Sequence, residues 1–255
     1  MKTILTIGDA HTEPGENLQR FYKLSKFIKD KKPDYIIIMG DFFDFMSLSS
    51  YEEPGSTAKE NKRIRSDMDH GINALKIIFS EIDKDKKPKQ SYNPEVIFLE
   101  GNHEYRLRRE LAANAVYENL ISVKEEIKKA RQDITFIEYG NYLDLENILF
   151  THIPFGMNGA PVSGKSVSTK VTNMVTKSCV YGHTHKLEIA NFIRHGDNTT
   201  QYSVSVGCFF ENTPAYIQGG LVPYWKGLVM FHVSDKNKNI FDIETISMDR
   251  LFEMY

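Results

Sequence analysis

The chain has 255 residues, of which 41% are hydrophobic, 12% aromatic and 26% charged; this excludes a disordered, collagen-like or coiled-coil protein and is ample for a sizeable core. Lys and Arg total 32 against 34 Asp and Glu, a formal net charge of -2, so no global basic field exists to coat long nucleic acid and any such contact must be a local patch. Two cysteines, Cys179 and Cys208, are too few for a disulfide framework and fit a reducing compartment.

In chain order, residues 3–7 read as a buried strand. Residues 16–31 read as a helix with Leu18, Phe21, Tyr22, Leu24, Phe27 and Ile28 on one face, ended by Pro33. A second strand (35–39), a second helix (64–82) and a third strand (96–99) follow, then one long charged helix over 105–130. This alternation predicts βαβ units with right-handed crossovers. The second half changes character, with short strands at 135–138, 142–144, 148–151 and 179–181. A hairpin pairs 187–194 with 200–206 around a turn at 195–198, and a final hairpin joins 228–233 to 240–245 across the polar turn 234–239. No repeat or low-complexity linker divides the chain, so one domain over 1–255 is expected, a mixed two-sheet α/β body. The segment 47–62, rich in Ser, Glu, Gly and Pro, is the least ordered candidate. An acid at Asp9 interrupts the first apolar run before a signal-peptide core could form, and 35–39 is far too short to span a bilayer. A cytoplasmic protein without a membrane segment is expected.

Each apolar run ends in polar residues able to hold metal. The first leads into Gly8-Asp9-Ala10-His11, the second into Gly40-Asp41-Phe42-Phe43-Asp44, and the third into Gly101-Asn102-His103-Glu104. Later runs end in His152 and in Gly182-His183-Thr184-His185. Loops at the carboxyl ends of strands in an open α/β sheet converge on one crevice, so five strand ends would deliver these groups to one place. Taken alone, Asp-x-His is common by chance, Gly-Asp-x-x-Asp is usually a turn, and one His is usually a satisfied polar residue. Their joint occurrence, in order and each after an apolar run, points to a shared metal site. Neutral imidazoles, carboxylates and an amide oxygen suit borderline to hard divalent ions, and no thiolate is offered.

This series resembles the calcineurin-like metallophosphoesterase superfamily, whose Asp-x-His, Gly-Asp-x-x-Asp, Gly-Asn-His-[Asp/Glu], lone His and Gly-His-x-His motifs are all matched between residues 8 and 185. The resemblance implies a four-layer α/β/β/α sandwich, with the remaining strands in its second sheet. It also implies two divalent ions, manganese or iron favoured and zinc or nickel open, and a bridging hydroxide as nucleophile. By it, one ion is held by Asp9, His11, Asp41 and His185, and the other by Asp41, Asn102, His152 and His183, with Asp41 bridging. His103 would be the general acid, oriented by Asp44.

Asp44 is followed by Phe45-Met46 rather than the Arg-Gly of eukaryotic-type protein phosphatases, and Gly40–Phe45 lacks the iron-binding Tyr of purple acid phosphatases. Gly-Asp-Phe-Phe-Asp is similar to Gly-Asp-Leu-Phe-Asp of bacterial SbcD-type, Mre11-like nucleases, although the chain is too short for their full capping domain. A phosphodiesterase acting on nucleotides or on short or single-stranded nucleic acid is therefore the expectation. The alternatives are a phosphomonoesterase for a small metabolite or phosphoprotein, and a non-catalytic scaffold of the same fold. Arg106 and Arg109, beside Tyr105 and Arg108, could pair with substrate phosphates or lie on a solvated helix face with Glu110 and Glu118. Lys59, Lys62, Arg63 and Arg65 form a second small patch. Aromatics at Phe209, Phe210, Tyr216, Tyr224 and Trp225 could close the core, stack on a base or form a homodimer face. His70, His195 and His232 read as ordinary histidines.

Overall fold

Strand β1 (Lys2–Ile7) is buried from Ile4 onward, so it needs neighbours on both edges and cover on both faces. In the computed structural model, β1 runs parallel to β2 (Tyr35–Ile38), β2 to β3 (Glu95–Leu99), and β3 to β4 (Thr135–Ile137). On the other side of β1, β10 (Gly227–Val233) and β11 (Phe241–Ser247) add antiparallel, giving a six-stranded sheet ordered β11-β10-β1-β2-β3-β4. A second, five-stranded sheet is built from β5 (Leu143–Leu145), β6 (Ile148–Thr151), β7 (Ser178–Tyr181), β8 (Leu187–Ile193) and β9 (Thr200–Val206), in the order β5-β6-β7-β9-β8. The described residues are 1–49, 62–84, 92–113, 115–117, 120–194, 196, 199–211 and 224–255. Lys59, Glu118, His195, Tyr216 and most of the 47–62 segment lie outside them.

Period-two alternation sorts the apolar side chains of the first sheet between two cores. Ile36, Ile38, Phe98 and Met230 pack outward against α1 (Gln19–Lys31), α2 (Ile64–Asp83), α3 (Asn102–Ala112), α4 (Val123–Ala130) and α6 (Met248–Met254). Ile37, Ile97, Val229 and Phe231 point inward and meet Phe150, Val180 and Val204 of the second sheet. The far face of that sheet buries Cys179 and Tyr181 under α5 (Val167–Thr172). The layers are thus α/β/β/α, as the motif resemblance implies. Deleting one central ring such as Phe98 would cost about 3–5 kcal/mol.

Two expectations are corrected. The long helix at 105–130 is two helices, because α3 ends at Ala112 and α4 restarts behind Ser122, whose hydroxyl accepts the Glu125 N–H at 3.4 Å. Ser122-Val-Lys-Glu125 is capping-box spacing, a helix start hidden inside a charged run. The last hairpin joins the first sheet rather than the second: β10 covers the edge of β1, and its almost wholly buried GLVMFHV suits a central strand. The short helices α5 and α6 have no counterpart in the sequence pattern, since one or two turns leave no resolvable periodicity.

A candidate metal centre

The parallel strands of both sheets direct their carboxyl ends to one side, where the turns after β1, β2, β3, β6 and β7 meet. Close approach there depends on two glycines. Gly40 has φ +94°, and a Cβ on it would lie 2.6 Å from His152 Nδ1. A Cβ on Gly101 would overlap the Asp41 amide and carboxylate.

Asp9, His11 and His185 form one group, their nearest ligand atoms all within 4.8 Å of one another. Asp9 Oδ2 is 3.0 Å from His185 Nε2, and its two oxygens accept the His183 N–H at 3.0 and 3.1 Å. Nε2 of His11 and Nε2 of His185 face each other at 3.2 Å, so at least one presents a lone pair to the gap. Asp41, His152 and His183 form a second group. Asp41 Oδ1 lies 3.4 Å from His152 Nε2 and accepts the His103 N–H at 2.8 Å, while Asn102 Oδ1 lies 3.0 Å from the same His152 nitrogen. Asp41 also groups with His11 and His103, so it stands between the two clusters. All seven sequence-nominated ligand residues are therefore brought to one place.

Holding them there strains the backbone. Among the described residues nine non-glycine positions have positive φ, and four are His11, Asp41, His183 and His185. Each costs about 1–3 kcal/mol, an expense that concentrates at functional sites. Ring orientation is fixed from behind. His152 Nδ1 donates to the Met39 carbonyl at 2.8 Å and His11 Nδ1 to Asp44 Oδ1 at 2.7 Å, which leaves both Nε2 atoms facing the centre. Asp44 also holds His103, with its carbonyl 2.6 Å and its Oδ1 3.1 Å from His103 Nδ1. It thus orients a nominated ligand as well as the nominated acid, and the first of these contacts was not legible in the motif.

Glu104 is the residue whose role the sequence missed. Its fully buried carboxylate accepts four backbone N–H groups: Asp41 at 3.0 Å, Phe42 at 2.7 Å, Phe43 at 2.9 Å and Gly101 at 2.8 Å. It therefore clamps the second motif loop to the third. The available signal was the Glu at the third helical position after Gly101, a capping-box spacing.

The electrostatics favour added positive charge. Burial alone would raise the pKa of Asp9 and Asp41, yet His185 lowers that of Asp9, and His152 and His103 lower that of Asp41 well below the usual carboxylate range. Against its own burial, His152 is pushed up to about 10 by Asp41 and Asp9. Burial and the neighbouring His152 push His183 down to about 4, leaving it neutral with a free lone pair. Burial would lower His103, but Asp41 and Asp44 outweigh it and raise that pKa, with Arg106 acting in the opposite sense. The carboxylates that hold a proton on His152 would hold a cation in its place, and together with the neutral His183 imidazole and the Asn102 amide oxygen they fit divalent cations.

Of the two nominated arginines, Arg106 lies against His103, with Nη2 2.9 Å from Nε2 and Nη1 3.2 Å from Nδ1. Arg109 is exposed on α3 and no contact among the described residues ties it to the site. Arg108 instead pairs with Glu100 at 2.8 Å and Glu138 at 3.0 Å. Two aromatic groups flank the centre. Phe210 and Tyr224 meet His185 edge-on at 5.2 and 4.9 Å between ring centroids. Beyond His103, Tyr105 stacks on Tyr139 at 4.7 Å, and Tyr139 meets Phe155 at 5.6 Å.

Residues 2–187 match the calcineurin-like phosphoesterase family. The chain belongs to that family. None of the curated proteins matches it in sequence. Among solved structures it is similar to wild-type Vps29 of Entamoeba histolytica complexed with Zn2+, at 10% identity and a TM-score of 0.41, covering 96% of this chain and 99% of that one. Vps29 of Chaetomium thermophilum is similar at 12% identity and a TM-score of 0.42, covering 96% of this chain and 97% of that one.

Proposed function

We propose that this calcineurin-like phosphoesterase, as one domain over 1–255, is a two-metal hydrolase of phosphodiesters in nucleotides or in short or single-stranded nucleic acid. The observation that carries the proposal is the meeting of the two ligand groups at Asp41, with His103 donating its N–H to the same carboxylate. Asp9, His11, Asp41 and His185 would hold one ion, and Asp41, Asn102, His152 and His183 the other. Manganese or iron suits this oxygen and nitrogen set, with zinc or nickel as the alternatives. When bound, the ions would supply positive charge against the phosphoryl oxygens and acidify the attacking water.

The chain's own residues do the rest. His103 gives a proton to the departing oxygen from Nε2, the ring nitrogen that Asp44 leaves unengaged, once an arriving phosphate draws the Arg106 guanidinium off it. Arg106 offers its guanidinium to a phosphate arriving beside His103, a charge-assisted contact in a half-buried site. The rings of Tyr224 and Phe210 on one side, and of Tyr105 and Tyr139 on the other, provide stacking surfaces for bases, which favours a nucleotide over a small sugar phosphate. Among the described residues no helix is long and apolar enough to cross a membrane. The cytoplasm is the proposed setting, supported by the two buried, unpaired thiols of Cys179 and Cys208.

The test is turnover of bis-p-nitrophenyl phosphate, p-nitrophenyl phosphate and single-stranded DNA by manganese-loaded protein. Diester and DNA cleavage is expected. Turnover of the monoester alone would replace the diesterase by a phosphatase, and no turnover with any divalent metal would leave a scaffold.

A further inference from the structure

Two open sheets have four edges, and among the described residues three are protected in familiar ways. Strands β4 and β5 are only three residues long, and β11 exposes Asp242 and Glu244 and has α6 packed beside it. Strand β8 is different. It runs seven residues as LEIANFI, with no Lys or Pro and with Ile189, Phe192 and Ile193 exposed by 46%, 45% and 59%. Its inner edge pairs with β9, and no described strand pairs with its outer edge.

The register shows which backbone groups are free. The Arg194 N–H bonds Thr199 and the Lys186 carbonyl bonds Gly207, both at 3.0 Å on the β9 side. Alternation therefore turns the N–H and C=O of Leu187, Ile189, Asn191 and Ile193 outward. We propose that this edge pairs with β8 of a second copy of the chain, antiparallel about a two-fold axis at Asn191.

The sequence is self-complementary in that register. Asn191 opposes itself, Ile189 opposes Ile193, Ala190 opposes Phe192, and Glu188 opposes Arg194. Moving the axis to Ala190 would place Lys186 opposite Arg194, and moving it to Phe192 would oppose the two Phe192 rings and lose the Glu188–Arg194 pair. Glu188 and Arg194 are already positioned from the α5 side, Glu188 Oε1 accepting the Ser168 N–H at 3.2 Å and Arg194 Nη1 donating to the Thr176 carbonyl at 2.7 Å. The result is a continuous ten-strand sheet across the pair, with the metal centres of the two copies at opposite ends, on the order of 40 Å apart along the strand direction.

Cross-linking reads the register directly. Opposed residues of a hydrogen-bonded antiparallel pair have Cα atoms about 5.5 Å apart, inside the range a disulfide spans. Asn191→Cys should form a disulfide dimer on mild oxidation. Ile189→Cys alone should not, since its symmetry mate lies about 13 Å away, whereas Ile189→Cys with Ile193→Cys should. The native Cys179 and Cys208 are buried and leave the assay clean. Sedimentation of the unmodified chain at micromolar concentration should give twice the mass of one chain. Ile193→Lys should weaken association at least about tenfold. Glu188→Arg should also weaken it, and adding Arg194→Glu should restore it. A monomer at every concentration, or equal cross-linking of the Asn191→Cys and Ile189→Cys proteins, would overturn the proposal.

Discussion

Arg106 stands one turn after His103 on α3, and its Nη2 lies 2.9 Å from His103 Nε2, so the only ring nitrogen not engaged by Asp44 is covered by a guanidinium. The two side chains should fail differently. His103→Asn is expected to leave metal content unchanged and lower kcat for a diester by about 100- to 10,000-fold, the usual range for loss of a positioned acid. Arg106→Ala should act mainly on KM, by about 10- to 100-fold, because it removes a charged contact to phosphate. Steady-state kinetics with metal analysis on the same samples separates them, and unchanged turnover in His103→Asn would remove it from the acid role.

Asp41 sits between the two ligand groups, and its Oδ1 already accepts the His103 N–H at 2.8 Å. Asp41→Asn keeps the shape but removes the charge shared by both groups. Elemental analysis after dialysis should show both ions depleted together. Retention of two ions per chain would end the bridging assignment, and loss of one alone would assign Asp41 to a single ion.

Glu104 organises the site from beneath it. Replacing it by Gln substitutes an NH2 for one acceptor oxygen and leaves two of four buried backbone N–H groups facing a donor. A loss of about 2–4 kcal/mol is expected in urea unfolding, with weakened metal binding at concentrations where the fold persists. Wild-type stability in Glu104→Gln would show that the clamp contributes little.

The site was more legible in the sequence than the architecture around it. Its ligands come from short motifs at strand ends, and strands 3–7, 35–39 and 96–99 announce themselves as continuous apolar runs. Placement of the last hairpin was hidden because 228–233 carries the same apolar signal whichever sheet it joins, and partner choice depends on the edge that β1 leaves open. Glu104 was visible as part of a motif, but its four backbone partners come from two loops 58 to 60 residues apart, which no local pattern encodes. Arg106 and Arg109 were indistinguishable by composition. Helical phase separates them, since Arg106 follows His103 by one turn and Arg109 points to solvent.

Cys179 and Cys208 are both buried, and burial pushes each thiol up to about 12. At mildly alkaline pH almost no thiolate exists to attack a disulfide reagent. Ellman's reagent should therefore label neither thiol in the folded protein and both in urea, the rate following unfolding. Rapid native labelling of either thiol would contradict its burial.

Asp34 ties the start of β1 to the turn before β2. Its Oδ2 accepts the Thr3 N–H at 2.8 Å and the Thr3 hydroxyl at 3.0 Å, Lys2 Nζ donates to its Oδ1 at 3.0 Å, and its own N–H donates to Thr3 Oγ1 at 3.1 Å. Partial burial would raise the carboxyl pKa, but Thr3 and Lys2 outweigh it and hold the group below its ordinary 3.8. A depressed native pKa means that the folded chain binds this proton less tightly than the unfolded chain, so stability rises with pH across that interval. The contribution is complete above the ordinary carboxylate pKa and is lost as pH falls through the native one. Because Asp34 is about a third exposed, it is worth less than about 1 kcal/mol. Asp34→Asn should thus melt lower than wild type by a constant margin from neutral pH to about 5, a margin that narrows as the pH drops below 4. A margin that widens on acidification would mean that the protonated carboxyl, not the carboxylate, is the stabilising form.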